Sequence, residues 1–363
     1  MKKVIISGGG TGGHIYPAIA IANSLKAIDP TIQILFVGAL GKMEMEKVPK
    51  AGYEIIGLPI SGIKRELSAD NLSFPFKLTR SLLKARSIIK SFQPDIAIGV
   101  GGFASGPLLM VASLMGIPTL IQEQNSYAGV TNKLLAKRAK AICVAYPNME
   151  AFFPKNKLKL TGNPVRNDIV NSTNKRELAY ERFGLQPNHK TLLVIGGSLG
   201  AKTINESIEA GLKMIIDSGY QVLWQTGKPY AERAKAAVEA LKTPYAQAFD
   251  FIYEMDLAYA LADVVVSRAG ALSVSELCLV EKPAILVPFP YASEDHQTKN
   301  AMSLVEQNAA LLVKDKDAKD ELVQTTLRLL QDVDKQQELS KHIKKLAKPN
   351  AAKEIAETVL SLI

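Results

Sequence analysis

Short runs of β-branched and aliphatic residues recur at 4–7, 32–37, 54–58, 96–100, 119–122 and 141–145. Helical spacing fills most of the intervals between them, as over 16–27. The runs are continuous rather than alternating, the pattern of strands buried on both faces in a parallel sheet flanked by helices. The rhythm restarts at 192–195, with a helix from about Lys202 and strands predicted at 221–225, 249–252, 264–267, 284–287 and 310–313. The pattern therefore predicts an α/β protein with two Rossmann-like, doubly wound domains. The cluster Gly162-Asn163-Pro164-Val165-Arg166 marks the boundary, giving a first domain over 1–162 and a second over 163–345. Residues 346–363, after a break at Lys348-Pro349-Asn350, read as a terminal helix with no strand of its own, expected to pack back on the first domain.

A length of 363 residues exceeds what one hydrophobic core usually serves, in keeping with two domains. Apolar residues make up 47% and charged residues 22%, which excludes a disordered, collagen-like or mucin-like chain. The two cysteines, Cys143 and Cys278, lie far apart and form no ligand spacing, so they read as buried apolar residues of a reducing compartment. The apolar run after Lys2-Lys3 is too short for a signal peptide, and nothing approaches the ~20 apolar residues of a spanning helix. A cytosolic topology is expected. The formal charge of +9 suits an anionic partner. With no zinc-finger spacing, no aromatic RNA-binding motif and no long basic tail, nucleic acid is not expected among the partners.

Three glycine-rich loops change the picture. Gly8-Gly9-Gly10-Thr11-Gly12-Gly13-His14 follows the first strand, the segment at 99–107 follows a middle strand, and Gly196-Gly197-Ser198-Leu199-Gly200-Ala201 follows the first strand of the second half. Each stands where a strand ends and a helix begins. There the amides approach an anion closely and the helix dipole favours it. Any one loop could be a tight turn only; three together indicate phosphate binding at strand ends. The spacing fits neither the dinucleotide fingerprint nor a P-loop.

A denser cluster runs from Ser267 through Arg268, Ala271, Leu272, Ser273, Val274 and Ser275 to Glu276. Arg268 is a candidate phosphate partner. Ser273 and Ser275 are candidate anion ligands in the first helical turn. Glu276 is a candidate acceptor for two ribose hydroxyls, with a capping box as the plain alternative. Gln297 lies downstream in a segment rich in amide and acid groups.

These motifs, with Glu123-Gln124-Asn125 and with His296-Gln297 followed by Asn300-Ala301, occur in the order of the MurG-type transferases of bacterial cell-wall synthesis, which the chain closely resembles over most of its length. The resemblance implies the GT-B fold, two Rossmann-like domains facing a cleft. It implies inverting transfer of N-acetylglucosamine from UDP-N-acetylglucosamine to an undecaprenyl-linked N-acetylmuramoyl-pentapeptide, with other cell-wall synthesis enzymes as further partners. Carried over by position, donor contacts fall on Thr11, Gly12, Gly13, Asn125, Arg166, Ser198, Ile252, the 271–276 segment and Gln297. Gly101, Gly102 and Ser105 are assigned to the acceptor diphosphate. Phe103, Gln122 and Ser273 stand where tyrosine, histidine and threonine are common.

Such a reaction needs a base for the acceptor hydroxyl and a stabiliser for the departing diphosphate. His14 is the candidate base and Glu123 the runner-up; a histidine at a helix N-terminus could equally donate to phosphate or cap the helix. No cofactor and no metal is expected in the chemical step, because the only Asp-x-Asp, Asp315-Lys316-Asp317, reads as a helix cap.

From 71 to 94 there is no acid. Leu78, Leu82, Ala85, Ile89 and Phe92 form a packing stripe, while Leu72, Phe74, Phe76, Leu83 and Ile88 lie off it among Lys77, Arg80 and Lys84. This predicts docking on an anionic membrane surface. The competing readings are a UDP-N-acetylglucosamine 2-epimerase of the same fold and a non-catalytic sugar-binding protein.

Overall fold

The computed structural model describes residues 1–62, 74–166, 169, 175–197 and 199–363. The chain divides into two compact units, Met1–Arg166 with Pro349–Ile363, and Asn167–Lys348.

In the first unit seven parallel strands run in the order β3-β2-β1-β4-β5-β6-β7. They are β1 Lys3–Gly8, β2 Gln33–Ala39, β3 Glu54–Leu58, β4 Ile96–Gly101, β5 Thr119–Glu123, β6 Ala141–Val144 and β7 Leu158–Leu160. The unbroken apolar runs reflect two cores, one on each face. Val4 and Ile6 pack with the helix Gly12–Ile28 and with Ile355, Ala356 and Val359 of the terminal helix Ala351–Leu360. Ile5, one residue out of phase, packs on the other face with Ala85, Ile88 and Ile89 of the helix Phe74–Phe92 and with Leu108 and Leu109. The terminal helix thus completes the first unit, although 182 residues of the second intervene.

The second unit has six parallel strands in the order β10-β9-β8-β11-β12-β13. They are β8 Thr191–Ile195, β9 Gln221–Gln225, β10 Ala246–Phe249, β11 Val264–Ser267, β12 Ala284–Leu286 and β13 Leu311–Leu312. Trp224 is fully buried, and its indole N–H donates to Asn205 Oδ1 at 3.0 Å. One strand expectation needs correction, and one strand was not expected. The strand expected at 249–252 ends at Phe249, because the Ile252 N–H turns out of the ladder to donate to Gln225 Oε1 at 2.9 Å. The three-residue edge strand β7 is too short to leave a periodic signal.

Strand order reverses between β1 and β4 in one sheet and between β8 and β11 in the other. In doubly wound sheets the crevice for a ligand opens at such switch points, beyond the carboxyl ends of the strands. All three glycine loops follow one of these four strands.

Candidate active-site loops

At the β1/β4 switch point the first two glycine loops close on each other. Gly9 N–H donates to the Gly101 carbonyl at 3.3 Å. A Cβ on Gly102 would lie 2.4 Å from the Gly9 carbonyl oxygen, so the two backbones are in direct contact. Behind them stands a side chain that the pattern of the sequence did not single out. Glu44, only 1% exposed, accepts from Gly10 N–H at 2.8 Å and from Ala39 N–H at 3.0 Å. The Gly9 and Gly10 amides are therefore occupied within the protein, and a carboxylate lies beneath them. This stretch is no anion cradle, contrary to expectation; a buried anion repels diphosphate. Thr11, Gly12 and Gly13 come next, at the start of the helix Gly12–Ile28, where first-turn amides have no intrahelical acceptor.

His14 is half-buried beside Gly101, and its Nδ1 lies 3.0 Å from the Gly9 carbonyl oxygen. A carbonyl only accepts, so Nδ1 carries the hydrogen and, in the neutral ring, Nε2 is the basic nitrogen. Ser105 is assigned differently than expected. Fully buried, its hydroxyl lies 3.0 Å from the Ser7 carbonyl and 2.8 Å from the Gly101 carbonyl, bracing the loop rather than facing a ligand.

Glu123, at the end of β5, is 2% exposed. Its Oε1 accepts from the Asn125 amide at 3.1 Å and from Asn125 Nδ2 at 3.4 Å; its Oε2 accepts from Gly129 N–H at 3.0 Å and from Asn132 Nδ2 at 2.8 Å. A carboxylate with four donors on its two oxygens holds the loop 124–132 in place and has its lone-pair sites taken up by the protein. That argues against Glu123 as the base and makes Asn125 part of the loop's own bracing. Gln122, Gln124 and Asn163 form a buried amide network alongside, in which Gln124 Nε2 donates to the Val100 carbonyl at 2.6 Å. Arg166, half-buried, is the last residue before the chain passes to the second unit.

At the β8/β11 switch point, Gln225 ties two segments together: its Oε1 holds Ile252 N–H, and its Nε2 donates to the Gly197 carbonyl at 3.2 Å. Gly200 packs against the Thr226 carbonyl, which also accepts from Asn205 Nδ2 at 2.8 Å. Ser198 lies outside the described residues.

The helix Ala271–Val280 starts at Gly270, presenting the first-turn amides of Ala271, Leu272 and Ser273, with Val274 N–H already donating to the Gly270 carbonyl at 3.0 Å. Ser275 lies beyond those first-turn amides, and its hydroxyl donates to the Ala271 carbonyl at 3.0 Å. Glu276 is half-buried and accepts from the Tyr259 hydroxyl at 2.9 Å, which orients its carboxylate.

Arg268 is also redirected. It is buried and ion-paired with Asp315, its Nη1 donates to the Val287 and Pro288 carbonyls at 3.1 and 3.2 Å, and its guanidinium lies over the Phe289 ring. Arg268 thus organises the segment after β12 and is not a free phosphate ligand. Asp315, expected to cap a helix, is instead the partner of Arg268 and accepts from Thr203 Oγ1 at 3.1 Å. Among the described residues no group of three or more His, Cys, Asp or Glu is arranged to hold a metal. Gln297 Oε1 accepts from Phe289 N–H at 2.9 Å, next to Glu294 and Asp295, which both hold left-handed backbone, at φ 55° and 54°.

On the basic helix Phe74–Phe92 the packing differs from the pattern reading. Ile88 is buried and Phe74 packs against the core. Lys77 is half-buried, 3.4 Å from Ser61 Oγ. What faces outward is Phe76 and Leu83, 66% and 64% exposed, with Lys84 exposed and the Arg80 guanidinium 5.7 Å from the Phe76 ring centroid. Leu72 lies outside the described residues. No described helix is long and apolar enough to cross a membrane.

Comparison with known proteins bears on these loops. Residues 4–144 match the glycosyltransferase family 28 N-terminal domain and residues 191–355 the C-terminal domain. The UDP-N-acetylglucosamine–N-acetylmuramyl-(pentapeptide) pyrophosphoryl-undecaprenol N-acetylglucosamine transferase of Cytophaga hutchinsonii is 58% identical, covering 99% of this chain and 97% of its own. The Bacteroides fragilis protein of the same name is 54% identical, covering 99% and 95%. The crystal structure of Acinetobacter baumannii MurG superimposes with a TM-score of 0.80 at 30% identity, covering 99% of this chain and 100% of that one. A UDP-GlcNAc 2-epimerase from Neisseria meningitidis, bound to UDP-GlcNAc, shares the fold alone, with a TM-score of 0.70 at 16% identity. By sequence over nearly its whole length and by fold, the chain belongs to glycosyltransferase family 28, in its MurG group with the GT-B fold.

Proposed function

We propose that the chain transfers N-acetylglucosamine from UDP-N-acetylglucosamine to an undecaprenyl-diphosphate-linked N-acetylmuramoyl-pentapeptide, with inversion at the sugar carbon, in peptidoglycan synthesis. The observation that carries this is the 58% identity to a transferase of that name across both units. The epimerase alternative has only a fold-level likeness.

In this reading His14 Nε2 takes the proton of the acceptor hydroxyl as its oxygen bonds to the anomeric carbon, and the bond to UDP breaks with its electron pair leaving on the diphosphate. The departing charge meets the helix start at 271–273 in the second unit. Arg166, Asn125, Ile252, Glu276 and Gln297 are the further donor contacts, with Glu276 accepting the ribose hydroxyls. Gly101 and Gly102 line the acceptor side through backbone. The chemical step is read as independent of divalent metal, since the Asp-x-Asp carboxylate Asp315 is engaged by Arg268. Single-turnover transfer in excess EDTA tests that point: full loss restored by magnesium would overturn it.

The acceptor's lipid calls for docking at the cytoplasmic membrane face, and the exposed Phe76 and Leu83 among Arg80, Lys84 and Arg86 are suited to it. Roles in cell shape and division, and contacts with other cell-wall enzymes, would follow from the product. The deciding experiment is transfer of labelled N-acetylglucosamine from the UDP donor to purified lipid acceptor. Release of N-acetylmannosamine from the donor without acceptor would favour the epimerase reading instead.

A further inference from the structure

A single peptide group joins the buried carboxylate to the histidine. The bond between Gly9 and Gly10 contributes its N–H, on Gly10, to Glu44 Oε2 at 2.8 Å, and its carbonyl, on Gly9, to His14 Nδ1 at 3.0 Å. We propose that Glu44 is a positioning residue for the transfer reaction, acting on His14 through this peptide as a carboxylate–peptide–imidazole relay. The proposal rests on His14 being the base.

The physical case has three parts. The peptide unit is conjugated, so donating its N–H to an anion shifts electron density onto its carbonyl oxygen and makes that oxygen a stronger acceptor. The strengthened bond fixes hydrogen on Nδ1 and leaves Nε2 as the basic nitrogen. It also favours the imidazolium formed when Nε2 takes a proton, as a directly bonded carboxylate does in hydrolytic triads. Second, the site is built for a carboxylate. The other oxygen is anchored by Ala39 N–H at 3.0 Å. A Cβ on Gly9 would lie 2.2 Å from Oε1, and one on Gly38 would lie 2.6 Å from Cγ, so glycines at two strand ends make room for this side chain. Third, the carboxylate is kept at 1% exposure with one oxygen turned to the very peptide that His14 contacts, the arrangement the relay requires.

The test uses the full-length enzyme with 15N-labelled histidine; His14 is one of four histidines and is assigned by its loss in His14→Asn. The parent should show His14 as the Nδ1–H tautomer with a strongly deshielded Nδ1 proton. Glu44→Gln should weaken that signature and lower kcat roughly ten-fold, below the hundred-fold or more of a lost base, with both KM values nearly unchanged. Glu44→Asp should recover part of the kcat. In the His14→Asn background, Glu44→Gln should cause no further loss in kcat, because the effect passes through the imidazole. An Nε2–H tautomer in the parent overturns the relay and needs no variant to fold. Equal, additive losses in the two backgrounds overturn it too, and reduce Glu44 to a brace of the loop. If His14→Asn leaves kcat at the parental value, the base reading fails instead, and the relay with it; the tautomer spectra then still report whether Glu44 holds the ring.

Discussion

At the β1/β4 switch point the buried group beside the glycine loop is a lone carboxylate, Glu44, satisfied by backbone amides. At the β8/β11 switch point it is a guanidinium, Arg268, neutralised by Asp315. Both sheets are parallel, both reverse order at the strand that opens the unit, and both place glycine where a backbone must come close. The likeness of topology therefore does not extend to the ligand. An anion under the first loop disfavours diphosphate there and favours a histidine that must gain a proton. At the second switch point the carboxylate Asp315 is paired with Arg268, and the helix Ala271–Val280 starts beside it, which suits the diphosphate. A doubly wound sheet supplies the crevice; the charge behind the loop selects what enters it.

The sharpest way to break that contrast is to spoil one loop at a time. In Gly200→Ala the new Cβ would lie 2.0 Å from the Thr226 carbonyl oxygen at a φ of +77°, and in Gly9→Ala 2.2 Å from Glu44 Oε1. We expect Gly200→Ala to weaken UDP binding by more than ~100-fold in calorimetry, and Gly9→Ala to weaken it by less than about ten-fold while abolishing transfer. Equal losses of UDP affinity would show that both loops hold the diphosphate. Next in size, Arg268→Ala leaves the part-buried Asp315 without its cation and the Val287 and Pro288 carbonyls without their donor, and should destabilise the second unit by about 1–3 kcal/mol, with a strong coupling to Asp315→Ala. Denaturant unfolding checks it. A large fall in UDP affinity at unchanged stability would restore Arg268 as a phosphate ligand.

The contrast also marks how far the chain could be read in advance. Two parallel sheets, the glycine loops and their place at strand ends follow from period and punctuation, because buried strands must be apolar throughout and tight turns must be glycine. Glu44 was not legible. It sits in Lys42-Met43-Glu44-Met45-Glu46, where nothing local separates the buried acid from the exposed Glu46; only the fold brings it under Gly9. Arg268 was legible as a cation near phosphate-binding loops, but its partner lies 47 residues on, beyond any local pattern. The same holds for Gln225 with Ile252, and for Ile88, which pattern placed outside the packing stripe and the fold buries.

Glu276 offers a smaller effect on the same axis. Its carboxylate is held by the Tyr259 hydroxyl at 2.9 Å. Glu276→Ala should raise the donor KM roughly ten- to hundred-fold, the equivalent of about 1.5–3 kcal/mol, and leave kcat little changed. Tyr259→Phe should move KM in the same direction by less. An unchanged UDP dissociation constant for Glu276→Ala would remove the ribose assignment.

The smallest effect needs no mutation, because each unit carries one cysteine as its own reporter. Cys143 lies in β6 of the first unit and Cys278 in the helix Ala271–Val280 of the second; burial pushes both thiols up to about 12. A thiol is attacked as its thiolate, so both should be nearly inert in the native protein and react only when their unit opens. A ligand that binds the closed form slows opening of the unit that holds it by the factor that it stabilises that unit. At UDP ten times its dissociation constant this is about 1.4 kcal/mol, roughly ten-fold. If the diphosphate belongs to the second unit, UDP should slow labelling of Cys278 about ten-fold and leave Cys143 close to its ligand-free rate, read by mass spectrometry of the labelled peptides. Slowing at Cys143 alone would move the nucleotide to the first unit and reverse the comparison. Equal slowing at both would mean that the two units open together, and that the charge behind each loop, not the unit, is the level at which the two sites differ.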